Sequence, residues 1–288
     1  MNKILVTGAA GQMGTAVIET LLKKISAQQI NVLTRKEEKQ LEFQSKGFNA
    51  YLGDYGDVVS LEKAMEGVDT VLLISSGDQG DRMQEHKNVV DTAKKLRVTS
   101  IAYTSRSLLD RTTLTNKLME EHFATEDYIK ESGLKYIIFQ NALYMEVLPY
   151  YVGKNVFEGG FVQVAGDGKV AFTLRKDQSE AMANVLLNEV CDNQVYKFTG
   201  SKAYSLYDVA NELTELSGKE VTYTPVEVPV YKEMMKQQGL REVVVNKIVN
   251  FNVDMKNGQE SVITNDLEIK LGRKPATLKE GLKILFNL

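Results

Sequence analysis

Lys3-Ile4-Leu5-Val6-Thr7-Gly8-Ala9-Ala10-Gly11-Gln12-Met13-Gly14 is the stretch whose reading decides the fold. Ile4-Leu5-Val6 reads as a strand buried on both faces. From Met13 to Lys24 the apolar residues Val17, Ile18, Leu21 and Leu22 recur at helical spacing. Between strand and helix the glycines fall at Gly-x-x-Gly-x-x-Gly spacing, and each has a physical role there. Gly8 permits the tight turn, Gly11 lets backbone approach a pyrophosphate, and Gly14 lets the helix lie close on the sheet. The helix N-terminus adds unpaired N–H groups and a partial positive charge. Thr7, Gly8, Gly11, Gln12, Met13 and Gly14 are therefore candidate dinucleotide-binding residues.

Outward from this turn the same alternation repeats. Ile30–Leu33, Ala50–Leu52, Thr70–Ile74, Ser100–Tyr103 and Tyr136–Phe139 read as strands. Helical patterns separate them at 36–46, 58–66, 84–96 and 115–132. Continuous apolar strands joined by helices imply parallel pairing through right-handed crossovers. The expected fold is α/β, a Rossmann-like doubly wound parallel sheet over residues 1–145, with a smaller C-terminal α/β lobe over 146–288. Turns at Gly153, Gly159-Gly160 and Gly166-Asp167-Gly168 open that lobe, and its elements partly return to the main sheet. They are a helix over 177–187, a strand over 194–198, a helix over 205–217 opened by Ser205 and closed by Gly218, a strand over 221–224, and helices within 229–257 and 277–286.

Composition excludes several classes. With 288 residues and 43% hydrophobic content the chain can bury its own core. Its 35 basic and 38 acidic side chains give a net charge of −3, which argues against a general nucleic-acid binder. The single cysteine, Cys191, ends the run Val185-Leu186-Leu187-Asn188-Glu189-Val190 and excludes both an intramolecular disulfide and a Cys-based zinc site. It reads as a buried apolar residue more readily than as a reactive thiol. Two histidines, His86 and His122, do not make a metal centre, and no metal is expected. No apolar run approaches the ~18 residues that span a bilayer, and the N-terminus enters a strand directly; a cytoplasmic protein with no membrane contact is expected. Tyr207–Leu216 is an amphipathic helix that core packing or a homodimer interface explains equally well.

Twenty-one residues after Gly14, at the end of the second strand, stands Arg35. An acidic residue there would hold a ribose 2′-hydroxyl, whereas arginine accommodates a 2′-phosphate, so NADPH is favoured over NADH. Lys36 and Lys39 add positive field. Asp54 and Tyr55 fall at the expected adenine edge, and Ser75-Ser76-Gly77 where the chain skirts the pyrophosphate and ribose.

In order along the chain stand Thr7-Gly8-x-x-Gly11-Gln12-x-Gly14, Gly53-Asp54-Tyr55, Leu72-Leu73-Ile74-Ser75, His86-x-Asn88-Val89-Val90, Ile101-Ala102-Tyr103-Thr104-Ser105, Glu121-His122-x-x-Thr125-Glu126, Asn141-Ala142-Leu143-Tyr144 and Ala165-Gly166-Asp167-Gly168-Lys169. This ordered set resembles the NmrA-like branch of the atypical short-chain dehydrogenases/reductases. Within it, the likeness is nearest to the type 2 NAD(P)H:quinone oxidoreductase and triphenylmethane reductase groups. The resemblance implies NADPH binding by the glycine turn, Arg35, Ser75-Ser76, Thr104 and the segment Phe139 to Tyr144, with Asn141 and Ala142. It implies that Arg175 lies near the cofactor or the junction of the lobes. The chain departs from the family at Ala10, often threonine, and at Gln140, often arginine.

Most short-chain dehydrogenases use a tyrosine and a lysine four residues later on the helix after the fifth strand. Here that helix has Tyr128 with Ser132, and the one Tyr-x-x-x-Lys, Tyr150 to Lys154, falls beyond the sixth strand. Hydride transfer to an electron-poor quinone or similar planar acceptor does not need the pair, because binding and alignment supply most of the catalysis. Tyr103 and Tyr144 are candidates to line an aromatic slot for the acceptor, or are ordinary packing residues. His122 either orients substrate or pairs with Glu126, and His86 reads as structural or surface. The stretch from Arg106 to Asn116 reads as a mobile cover. The leading expectation is an NADPH-dependent quinone-type reductase. A non-catalytic NAD(P) redox sensor regulating a protein partner is the rival, and a nucleoside-diphosphate-sugar epimerase a third reading that lacks its acid–base residues.

Overall fold

The structure is a computed structural model that describes residues 3–77, 80–188 and 192–288, so Cys191 lies outside the described residues. In chain order the elements are β1 (Ile4–Val6), α1 (Gln12–Leu21), β2 (Ile30–Thr34), α2 (Glu37–Ser45), β3 (Asn49–Leu52), α3 (Val58–Met65), β4 (Thr70–Leu73), α4 (Arg82–Lys95), β5 (Ser100–Arg106), α5 (Glu120–Glu131) and β6 (Lys135–Asn141). There follow α6 (Leu148–Val152), β7 (Phe161–Gln163), β8 (Lys169–Val170), α7 (Arg175–Asn188), β9 (Gln194–Phe198), β10 (Tyr204–Ser205), α8 (Leu206–Ser217), β11 (Tyr223–Pro225), α9 (Val228–Gln237), α10 (Glu242–Lys256), α11 (Asp266–Leu271) and α12 (Leu278–Phe286).

Two compact units form. One comprises Met1–Arg106, Glu121–Asn141 and Lys176–Lys197; the other comprises Ser107–Glu120, Ala142–Arg175 and Phe198–Leu288. A single cut at residue 145 thus describes the chain only coarsely, because α7 and most of β9 return to the first unit.

The first unit carries the seven-stranded sheet, in the order β3-β2-β1-β4-β5-β6-β9. Its pairings from β3 to β6 are parallel, with Ile4 opposite both Ile30 and Thr70. The order reverses between β1 and β4, the switch point where open α/β sheets bind ligands at their C-terminal edge. Every residue of β1, β2, β4 and β5 is buried, as strands covered on both faces require. Leu5, Leu33, Leu61, Val71, Val89 and Ile101 form the core on one face of the sheet. Asn31 within it donates from Nδ2 to the Ala64 carbonyl at 2.7 Å.

The second unit packs Phe172, Leu206, Leu213, Leu278 and Leu282 in its core. Helix α8 is opened by a reciprocal capping box between Ser205 and Asp208 and closed by Gly218 in the left-handed region. Strands β8 and β10 pair antiparallel, and β7 and β11 pair parallel. The helix expected from residue 115 starts only at Glu120, after a 3₁₀ turn over Lys117–Met119 capped by Asn116. The segment expected to be a mobile cover is strapped down instead. Leu109 N and Asp110 N donate to the Gln259 backbone and side-chain oxygens, both at 2.9 Å. Thr115 N and Asn116 N donate to the two Asp254 carboxylate oxygens at 2.7 and 3.0 Å. Leu108 and Leu114 are buried, and only Leu109 is exposed among the three leucines of that stretch. No described helix is long and apolar enough to cross a membrane.

Candidate functional site

A cleft of about 370 Å³ opens at the switch point, entirely within the first unit. Gly8, Gly11, Arg35, Asp54, Tyr55, Ser75 and Ser76, all read from the sequence as candidate cofactor residues, line it together with Lys36, Gly53, Gly77 and Glu85. Its floor is the glycine turn. Gly8 has φ +58°, in the left-handed region. A Cβ on Gly14 would stand 2.4 Å from the Gly8 carbonyl oxygen and 2.8 Å from Ala9 Cα, so α1 can approach β1 this closely only with glycine there. A Cβ on Gly11 would meet only the Gly8 oxygen, at 3.2 Å; its other side is the cleft.

The opposite wall is equally constrained. Gly53 leaves no room for a side chain, since a Cβ would stand 2.0 Å from Ser60 Oγ. The Asp54 carboxylate accepts from Gly56 N at 2.8 Å and Asp57 N at 3.1 Å, which locks the turn after β3. The Tyr55 hydroxyl lies 2.6 Å from Thr7 Oγ1 and 2.8 Å from the Ile74 oxygen, tying that turn to the strands beside it. Arg35 is exposed at the rim and makes no ion pair among the described residues, whereas Lys36 has a long contact of 4.0 Å with Glu38.

The loop after β4 is held by a buried polar network. Ser75 N donates to Thr104 Oγ1 at 2.9 Å, and Ser76 N donates to His86 Nε2 at 3.0 Å. Arg82 Nε donates to the Ser76 oxygen at 3.1 Å while its guanidinium pairs with Glu121 at 3.1 Å. Because His86 Nε2 accepts, its proton is on Nδ1, which faces Thr125 Oγ1 at 2.9 Å. The Thr125 hydroxyl in turn donates to the Glu121 oxygen at 2.8 Å. Burial, and secondly the Arg82 charge, hold the His86 pKa down to about 3, so the ring is neutral. His86 is thus the support of the cleft's loop rather than a surface residue. Its helical spacing alone held no sign of this.

Several expected site residues lie elsewhere. Thr7 is fully buried, and its Oγ1 donates to the Leu72 oxygen at 2.9 Å and accepts from Ile74 N at 3.0 Å; it joins β1 to β4 and does not line the cleft. Met13 is buried, Gln12 is exposed outside the lining, and Thr104 acts through Ser75. Phe139 is fully buried, its ring 6.2 Å from that of Tyr196. Tyr103 is fully buried too, with its hydroxyl 3.0 Å from His122 Nδ1, and so is no wall of an acceptor slot. Burial and the Arg82 charge lower the His122 pKa as well. The partner anticipated for His122, Glu126, is engaged otherwise: it accepts from Ser105 Oγ at 2.5 Å, from Gln140 Nε2 at 3.0 and 3.1 Å, and from Lys130 at 3.3 Å. Gln140 is therefore a neutral donor to a buried carboxylate. Asn141 is fully buried. In the second unit, Ala142 N donates to the Phe198 oxygen at 2.9 Å, and Arg175 stacks its guanidinium 4.5 Å above the Tyr144 ring while its backbone N–H donates to the Glu146 carboxylate.

Neither tyrosine weighed for acid–base work is placed for it. Tyr128 donates to Asp91 at 2.7 Å, and Tyr150 is 88% exposed on α6, which ends before Lys154 at Gly153. No group of described residues forms a metal cluster.

The cleft fits a dinucleotide: a glycine cradle closed to any Cβ at Gly14, a helix N-terminus facing it, an unpaired guanidinium, and a buried Ser76 Oγ with no partner among the described residues. Sheet order and site together define a nicotinamide-dinucleotide-binding protein of the doubly wound α/β class. The NAD(P)H-binding family matches residues 8–147. Quinone oxidoreductase 2 of Escherichia coli (strain K12) is 35% identical over 285 residues, 99% of each chain. A solved structure of the Escherichia coli NADPH-dependent quinone oxidoreductase complexed with NADPH is similar at 33% identity and TM-score 0.89, covering 99% of this chain and 100% of that one. The triphenylmethane reductase of Citrobacter sp. is similar at 31% identity and TM-score 0.91, with 99% and 100% covered. The chain belongs to the NmrA-like NAD(P)H-binding family.

Proposed function

We propose that the protein is an NADPH-dependent reductase that passes hydride to a quinone or a similar planar acceptor. The observation that carries this reading is an intact dinucleotide cleft in a chain where Tyr128 is bonded to Asp91 and Tyr150 is exposed on a helix that ends before Lys154. Full-length likeness to proteins named as quinone and triphenylmethane reductases supports it.

Bound reduced nicotinamide supplies the hydride. The protein's own groups bind and align. Gly11 and the N-terminus of α1 would receive the pyrophosphate, and Arg35 would pair with the 2′-phosphate as a charge-assisted donor. His86, Arg82 and Thr104 fix the loop that carries Ser75 and Ser76 against the dinucleotide. A quinone that accepts hydride becomes a hydroquinone anion, which takes its proton from water, so no protein acid is needed at the carbonyl. A carbonyl or sugar substrate would need one, which disfavours both.

The test is steady-state oxidation of NADPH and of NADH by the purified protein, with a panel of simple quinones, a triarylmethane dye and a nucleoside-diphosphate sugar. Acceptor-dependent oxidation by quinone or dye, faster with NADPH, is expected. Tight NADPH binding with no turnover across the panel would overturn the reading in favour of a cofactor sensor.

A further inference from the structure

Helix α4 brings a carboxylate to the cleft. Glu85, half-buried in the first turn of that helix, is among the lining residues, and its side chain makes no hydrogen bond or ion pair among the described residues. Asp54, the other acid of the lining, differs: its Oδ1 already accepts from Gly56 N and Asp57 N. The free carboxylate stands on a fixed support. Arg82 Nε donates to the Ser76 oxygen, His86 Nε2 accepts from Ser76 N, and Asn88 Nδ2 donates to the Tyr55 oxygen at 2.9 Å. The helix on either side of Glu85 is thus tied to the loop after β4 and to the turn after β3. Gly80 leaves room for the acid, since a Cβ there would stand 2.8 Å from Glu85 Oε1.

Glu85 and Asn88, three residues apart, share one face of α4. Asn88 holds the main chain of Tyr55, so Glu85 rises beside the Asp54-Tyr55 turn, the side of the cleft where a base is expected. The electrostatics agree. Burial is the main cause that raises the Tyr55 pKa, and the Glu85 charge raises it further while the Arg35 charge lowers it, which sets both charges at the same end of the cleft.

An ionised carboxylate only accepts hydrogen bonds. At the adenosine end of a 2′-phosphorylated dinucleotide few groups can donate to it. Phosphates and the ring nitrogens of adenine are acceptors too, which leaves the 6-amino group and one ribose hydroxyl. Arg35, at the end of β2, marks the ribose side; the Tyr55 turn, with Glu85 beside it, marks the side of the base.

We propose that Glu85 selects the base of the cofactor, its carboxylate accepting a hydrogen bond from the 6-amino group of adenine and turning away purines with an oxygen at that position. The inference rests on the NADPH reading above and adds to it a specificity-determining residue. A 6-oxo purine would set a carbonyl oxygen against the carboxylate, two acceptors with no proton between them.

The experiment is equilibrium binding, by calorimetry, of NADP⁺ and of its hypoxanthine analogue to the wild-type protein, Glu85→Gln and Glu85→Ala. The analogue differs in the base alone, with a carbonyl in place of the amino group. The wild type should prefer NADP⁺ by at least ~tenfold, the scale of a hydrogen bond to a charged group. Glu85→Gln can accept through Oε1 or donate through Nε2, and Glu85→Ala can do neither, so both should bring the two ligands to within about threefold. A wild type that binds the two alike would overturn the proposal, as would a preference that persists in both variants. Equal losses of both ligands in the variants would overturn it as well, because Glu85 would then meet the ribose or serve only the fold. A wild type that binds neither ligand would instead remove the cofactor reading beneath it.

Discussion

Gly11 and Gly14 stand three residues apart, yet a methyl group added to each meets opposite surroundings, which yields a differential prediction. At Gly14 the new carbon would lie 2.4 Å from the Gly8 oxygen, 2.8 Å from Ala9 Cα and 3.0 Å from the Gly8 carbonyl carbon, all backbone atoms that cannot rotate away. Alanine within a helix gains ~1 kcal/mol over glycine, while overpacking of this kind costs up to ~3 kcal/mol. The net loss for Gly14→Ala is about 2 kcal/mol, or ~4–8 °C in Tm for a chain of this size. At Gly11 the only close atom is the Gly8 oxygen at 3.2 Å, and the backbone is extended at φ −80°. Gly11→Ala should therefore cost ~1 kcal/mol at most, chiefly because alanine is the poorer N-cap. Its methyl group projects into the cleft, however, and should weaken NADPH binding by at least ~tenfold by keeping phosphate from the backbone. Thermal unfolding of the ligand-free variants and NADPH titration by fluorescence separate the two effects. If Gly14→Ala melts with the wild type, or if Gly11→Ala keeps full affinity, the geometry assigned to the turn is wrong.

Three further outcomes are expected. Arg35→Asp should weaken NADPH binding by ~10–100-fold and change NADH binding by less than about threefold; equal losses in parallel titrations would make Arg35 a solvated charge. His86 is held to a pKa of about 3 and His122 is lowered as well, both first by burial, whereas each titrates near ~6.5 in the unfolded chain. The unfolded state then binds more protons as pH falls below ~6.5, so stability should fall by up to ~1.4 kcal/mol per pH unit per histidine, and His86→Gln should flatten the slope. Denaturant midpoints that stay level from about pH 7 to about pH 5 in the wild type would contradict the neutral rings. Asp254→Ala removes the carboxylate that accepts from Thr115 N and Asn116 N, and should make the stretch 107–116 the preferred site of limited proteolysis. An unchanged cleavage pattern would show that the strap is dispensable.

The order of strands and the glycine turn were legible because both depend on local signals: apolar runs, helical spacing and a turn that only glycine fits. The faces of those strands were not. Runs buried on both sides, such as Ile101-Ala102-Tyr103, carry no alternation, so nothing in the sequence distinguished Tyr103 in the core from a slot-lining residue. Phe139 failed for the same reason, and Thr7 because its hydroxyl bonds a strand 65 residues away. The support for the cleft's loop was equally hidden, since His86 meets Thr125 across 39 residues and Ser76 across 10. Asp254 and Gln259 reach their partners across 138 to 149 residues, so a polar, leucine-containing stretch that reads as a cover is in fact tied down. Gln140 stood out in the sequence, but that it and Ser105 both donate to Glu126 needed the register of β5 and β6.

The most direct measurement is an anaerobic single turnover: protein loaded with NADPH, mixed with excess simple benzoquinone, followed by reduced-nicotinamide absorbance and hydroquinone yield. Rapid loss of the absorbance, with hydroquinone formed in equal amount to the NADPH consumed, is the predicted result. Bound NADPH that stays reduced in the presence of the quinone would contradict the account.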